Sequence, residues 1–222
     1  GMGPETTSKF YLDVIFKCYQ KNKETRPPML IWNVPLKYKI EQELIENASG
    51  EEKYLPYLIE AAKNLEKGGA DFLVIPCNTV HVFIDKIRKE VEIPILSILE
   101  ETEKFLNYKK SRKIGLLATT LLLRQGLYEN ILEKSGVKVV RPKETEQRKL
   151  GKIIHRLVTT RYAEKEKSQL LKIIWNLGKK EVEAVLLACT DLQLIIKPNE
   201  MPIPVYDTMD ILVDATVRDI LK

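Results

Sequence analysis

Cysteine and histidine are scarce in this chain of 222 residues, which has three of the first and two of the second. Cys18, Cys77 and Cys189 are too few and too far apart for the disulfide framework of a small secreted protein, and they fit a reducing, cytoplasmic setting. Cys77 and His81 have the spacing of half a zinc site, but no second close pair of ligands completes it, so no metal is expected. Aromatic residues make up only 7% and are scattered, so the interleaving of basic and aromatic side chains that marks nucleic-acid binding is missing. No apolar run approaches the roughly 20 residues that span a bilayer, and no membrane partner is expected. The G-x-x-x-x-G-K and G-x-G-x-x-G phosphate loops do not occur, which leaves nucleotide binding unsupported.

What remains is a chain that is 44% hydrophobic and 30% charged, the balance of a globular protein able to fold without staples. Its net charge of +5 is spread through segments where lysine alternates with glutamate, such as Glu51–Lys67 and Glu144–Lys152, and reads as a solvated surface. Short β-branched runs alternate with stretches of helical period, the pattern of parallel sheets covered by helices. Strands are expected at Met29–Asn33, Asp71–Pro76, Ile93–Ser97, Lys113–Ala118, Val137–Arg141, Val182–Ala188 and Ile203–Tyr206. Helices are expected at Thr7–Lys21, Lys53–Lys67, His81–Glu90, Leu99–Tyr108, Leu122–Ser135, Glu146–Val158, Glu164–Gly178 and Met209–Leu221.

A weak internal repeat relates the two halves. In the first, a helix leads to Gly69-Ala-Asp-Phe-Leu-Val-Ile-Pro-Cys-Asn-Thr79 and then to Ile93-Pro-Ile-Leu-Ser97. In the second, a helix leads to Glu181-Val-Glu-Ala-Val-Leu-Leu-Ala-Cys-Thr-Asp191 and then to Ile203-Pro-Val-Tyr-Asp207. The fold expected is α/β with two pseudosymmetric lobes, each a parallel sheet flanked by helices, and an active site between them. Residues 1–97 with 208–222 form the first lobe and carry Cys77; residues 98–207 form the second and carry Cys189. Lys113–Ala118 opens the second half as a strand. By the repeat, an apolar strand ending in glycine is expected upstream of Met2, with Gly1 a tag remnant.

Ligands of open α/β sheets bind beyond the carboxyl ends of the strands, where this reading puts Cys77, Asn78, Thr79, Cys189 and Thr190. Each cysteine precedes an expected helix, whose unpaired N–H groups lower a thiol's pKa toward neutrality and help to hold a carboxylate. Two thiols flanking one carbon can invert it, one removing a proton while the other donates to the opposite face. His81, one turn beyond Cys77, either orients the cleft or is a satisfied helix-face histidine, and Asp191 either tunes Cys189 or caps a helix.

Pro76-Cys77-Asn78-Thr79-Val80-His81 resembles the Pro-Cys-Asn-Thr-Ala-His motif of the aspartate racemase branch of the aspartate/glutamate racemase family. Ala188-Cys189-Thr190-Asp191-Leu192 is similar to that family's Gly-Cys-Thr-Glu-Leu motif, Met2-Gly3-Pro4-Glu5-Thr6-Thr7 to its opening, and Gly115-Leu-Leu-Ala-Thr119 to its mid-chain strand. The resemblance spans nearly the whole chain. It implies a cofactor-independent racemase of a small amino acid, aspartate or another acidic one, with Cys77 and Cys189 as two bases and a homodimeric assembly. It further implies that Asn78, Thr79 and Thr190, with Met2, Gly3 and Thr119, bind substrate. Where the family has an arginine after the second strand this chain has Lys37 and Lys39, and near the family's later lysine it has Arg161. These three are the candidates for a distal carboxylate. The competing readings are a related isomerase or decarboxylase of small dicarboxylates, and a noncatalytic carboxylate-binding protein.

Overall fold

The structure, a computed structural model, describes residues 1–37, 39–40, 43, 49–159, 164–196, 201 and 203–222. Two parallel sheets organise them. In the smaller, β1 (Leu73–Val74) pairs with β2 (Ile95–Leu96) in the register Leu73 to Ile95. The larger has the order β4-β3-β5-β6, formed by β3 (Lys113–Ala118), β4 (Lys138–Val140), β5 (Ala184–Ala188) and β6 (Val205–Asp207). The central strands β3 and β5 are nearly continuous apolar runs, Ile-Gly-Leu-Leu-Ala and Ala-Val-Leu-Leu-Ala, because a parallel sheet is covered on both faces.

Helices complete the layers. On one face of the larger sheet, α1 (Pro4–Asn22), α4 (Ile98–Tyr108), α6 (Leu127–Lys134) and α9 (Thr208–Ile220) enclose a core that includes Val14, Leu106, Leu116, Leu132 and Leu212. Cys18 is fully buried there, packed as a small hydrophobe. On the other face, α7 (Glu144–Thr159) and α8 (Glu164–Gly178) bury Leu150, Ile153, Ile173 and Leu177 against Val185 and Leu187. A third core joins α2 (Leu55–Lys67) and α3 (Ile84–Arg88) to the smaller sheet. Leu121, from α5 (Thr120–Gln125), is buried in that third core, so the segment after β3 reaches across to the first-half elements. This is the two-sheet α/β architecture expected from the sequence. No helix among the described residues is long and apolar enough to cross a membrane.

Three sequence expectations need correction. Met29–Asn33 is not a strand. Met29, Leu30 and Trp32 line a cavity of about 420 Å³ together with Leu73 and Val74 of β1, and no ladder pairs the segment with β1. Its flank is held instead by the Gly1 ammonium, which donates to the Trp32 carbonyl at 2.5 Å, and by Val34 N–H, which donates to the Gly1 carbonyl at 3.0 Å. Next, Leu122–Ser135 is two helices, α5 and α6, parted at Gly126, whose φ of +62° lies in the left-handed region that glycine adopts without strain. Finally, His81–Glu90 is a 3₁₀ turn, Thr79–Phe83, followed by the five-residue α3.

Candidate active site

The carboxyl ends of β1 and β5 open onto one cavity of about 80 Å³, and both Cys77 and Cys189 line it. Around them stand Met2, Gly3, Asn78, Thr79, Thr119 and Thr190, so eight of the eleven site residues expected from sequence come together. Of the other three, Lys37 and Lys39 are exposed on the surface and are not among the residues of the cavity wall, and Arg161 lies outside the described residues. Sequence reading missed Tyr54, Leu121, Ile154 and Val158, which form apolar wall, because nothing local distinguishes them from core positions.

Local structure explains each placement. Gly3 precedes α1, and a Cβ there would stand 2.9 Å from Thr6 Oγ1 and 3.7 Å from Asp191 Oδ1, so the absent side chain admits the start of a 19-residue helix to the cavity. Thr119 directly follows β3 and caps α5, its hydroxyl accepting from Leu122 N–H at 3.3 Å. The same hydroxyl meets Thr79 Oγ1 at 3.1 Å, joining the turn after Cys77 to the turn after β3.

Asn78 is buried to 1% exposure and its side chain is engaged inward. Its Oδ1 accepts from the Tyr128 hydroxyl at 2.6 Å, and its Nδ2 donates to Thr208 Oγ1 at 2.9 Å. His81, equally buried, bridges two chain segments: Nδ1 donates to the Cys77 carbonyl at 2.8 Å, and Nε2 accepts from Ile98 N–H at 3.2 Å. It is the satisfied histidine of the two sequence readings. Asp191 makes no side-chain cap to the turn it begins; the Cys189 thiol donates to its Oδ2 at 3.7 Å instead.

The expectation of thiols acidified by helix ends is overturned. Burial pushes Cys77 up to about 11 and Cys189 well above its usual value, and the carboxylate of Asp191 adds to the rise at both. Backbone N–H groups of Val80 and Thr79 aimed at Cys77, and that of Asp191 at Cys189, act in the acidifying direction but are outweighed. The turns that supply them are short 3₁₀ pieces, so little dipole accumulates. A Cys77 thiolate raises the pKa of Cys189 further. Among the described residues no group of three or more His, Cys, Asp or Glu side chains is placed to hold a metal ion.

Fold and cavity together define an α/β protein with paired thiols at the strand ends of two sheets. The Asp/Glu/Hydantoin racemase family model matches residues 1–216, and the chain belongs to that family. The broad specificity amino-acid racemase RacX of Bacillus subtilis is 27% identical over 100% of this chain and 96% of its own. A solved aspartate racemase homologue from Pyrococcus horikoshii superposes with a TM-score of 0.79 at 28% identity, covering 100% of this chain and 97% of the other. The aspartate racemase of Picrophilus torridus gives a TM-score of 0.82 at 25% identity, over 100% of this chain and 92% of that one.

Proposed function

We propose that the protein is an amino-acid racemase that needs no cofactor and inverts the α-carbon between Cys77 and Cys189. The observation that carries this reading is that two free thiols from different sheets line one small, polar-edged cavity. In the forward sense one thiolate takes the α-proton and becomes a thiol, while the opposed thiol donates its proton to the other face and becomes the thiolate. The reverse turnover restores the starting state. A raised pKa suits this work, because a thiolate of higher pKa is a stronger base toward a weakly acidic C–H, although less of it is present at neutrality. Asp191, which accepts from the Cys189 thiol, holds that thiol in its protonated, donating form and raises the basicity of its thiolate. Negative charge developing on the substrate carboxylate meets Thr79, Thr119 and Thr190 hydroxyls and the N–H groups near Gly3 and Thr79.

Aspartate, the substrate implied by the resemblance, would bring a second carboxylate to a wall whose only charged side chain among the described residues is Asp191. The same wall offers Tyr54, Leu121, Ile154 and Val158, so neutral side chains fit it better. The broad specificity in the Bacillus relative's name is in keeping with this. The test is to incubate single enantiomers of acidic and neutral amino acids in D₂O and follow both optical activity and α-deuteration. Loss of optical activity with deuterium entering the inverted product is expected. Absence of both for every amino acid would leave a binding protein instead.

A further inference from the structure

Between the two cysteine arms runs a buried chain of hydrogen bonds that proton transfer itself does not use. The Tyr128 hydroxyl on α6 donates to Asn78 Oδ1, Asn78 Nδ2 donates to Thr208 Oγ1, and the Thr208 hydroxyl donates to the Leu187 carbonyl at 2.9 Å. Asn78 immediately follows Cys77, and Leu187 lies on β5 two positions before Cys189. Tyr128 and Thr208 are both 0% exposed, so water does not compete for these bonds.

We propose that Tyr128 and Thr208 are positioning residues that set the separation of the two thiols, by fixing the turn after Cys77 to the strand before Cys189. The geometry assigns each a distinct part. Thr208 is the direct link, accepting from the Cys77 arm and donating to the Cys189 arm through one oxygen. Its place at the start of α9 is itself fixed, since Asp207 caps that helix by accepting from Met209 N–H at 2.8 Å. Tyr128 holds the amide of Asn78 in the orientation that aims Nδ2 at Thr208, because a donor on Oδ1 specifies which end of the amide faces which partner. Burial keeps the phenol protonated and therefore a donor.

The role matters for a two-base reaction because proton removal and delivery occur on opposite faces of one atom, and small misplacement weakens the second step. It rests on the two-thiol reading, so the experiment carries one readout that does not depend on activity. In a Cys18→Ala background, Tyr128→Phe, Thr208→Val and Thr208→Ser are compared with the parent. Dibromobimane, which becomes fluorescent once thiols displace both bromides, reports whether Cys77 and Cys189 can be bridged. Bridging at least fivefold slower in Tyr128→Phe and Thr208→Val, with Thr208→Ser close to the parent, is expected. Where racemisation is measurable, kcat should fall at least tenfold in the same two variants with KM within about twofold, and Thr208→Ser should restore it. Changed bridging in a protein that racemises nothing would uphold the positioning role while removing the proposed function. A parent that is not bridged, or variants that all match it in both bridging and kcat, would overturn the inference. Should Tyr128→Phe fail to fold, the Thr208 pair decides the outcome alone.

Discussion

The imidazole of His81 donates through Nδ1 to the carbonyl of Cys77 at 2.8 Å while its Nε2 accepts from the amide of Ile98, so the ring is held neutral between the first cysteine turn and the start of α4. Burial, the largest cause, brings its pKa from 6.5 down to about 4 against the opposing pull of the Cys77 carbonyl, with Arg88 acting in the same direction as burial and Glu100 against it. A second proton would have to sit on Nε2 facing the Ile98 N–H.

Folded His81 therefore binds fewer protons than unfolded His81 between pH 6.5 and 4, and its contribution to stability is present above 6.5 and lost as pH falls toward 4. A shift of this size corresponds to about 3 kcal/mol. Asp207, raised from 3.8 to about 7 chiefly by burial, gives the opposite slope: the native state holds the extra proton and stability falls as pH rises through that window. Urea unfolding from pH 4.5 to 7.5 should show His81→Gln less stable than wild type at pH 7.5, with the difference shrinking steadily toward pH 4.5. A constant difference would mean that His81 does not titrate as described.

Cys77→Ser and Cys189→Ser should each lower racemisation by about 10²–10⁴-fold, the usual scale for removing a positioned acid or base. Serine is nearly isosteric, so thermal melts should change little. The mutants differ in one respect: each retains a base on only one face, so each should exchange the α-proton of a single enantiomer. Wild-type racemisation in either variant would refute the two-base assignment.

Thiol alkylation tests the electrostatics without turnover. With Cys77 at about 11, the thiolate is a small minority at neutrality and iodoacetamide modification should rise roughly tenfold per pH unit up to pH 10. Asp191→Asn removes a negative charge that raises both thiols, so modification at pH 8 should quicken several-fold at Cys77 and Cys189. Mass spectrometry of the modified peptides separates the two sites from Cys18. Slower modification in the variant would reverse the stated role of Asp191.

Lys37 and Lys39 were natural sequence candidates for a distal carboxylate. Their exposed positions away from the cavity wall predict that Lys37→Ala and Lys39→Ala leave kcat/KM for aspartate, alanine and serine within about twofold. A selective loss of more than tenfold with aspartate would place at least one of them against bound substrate.

The central strands were legible because parallel pairing demands nearly unbroken apolar runs, and Lys113–Ala118 and Val182–Ala188 contain them. The cysteine pair was legible through the repeat, which gave each half the same strand end. Met29–Asn33 has the composition of a strand yet forms none, since composition reports burial and cannot report whether a neighbour lies within ladder distance. The inward role of Asn78 was hidden for a related reason: its partners Tyr128 and Thr208 lie 50 and 130 residues away, and only tertiary structure brings them to one amide. The direction of the cysteine pKa shifts was misread because local helix ends are visible in sequence and the depth of burial is not.

Strand β3 pairs with β5, so Ile114 waits about 70 residues for Ala184. During synthesis that edge of β3 therefore has no β5 to pair with until α7 and α8 have been made. Cys189 ends that late strand, whereas Cys77 emerges more than 100 residues earlier. The nascent chain thus carries Cys77 without its opposite number for about half of its production, and the two thiols can face one cavity only once β5 has been made.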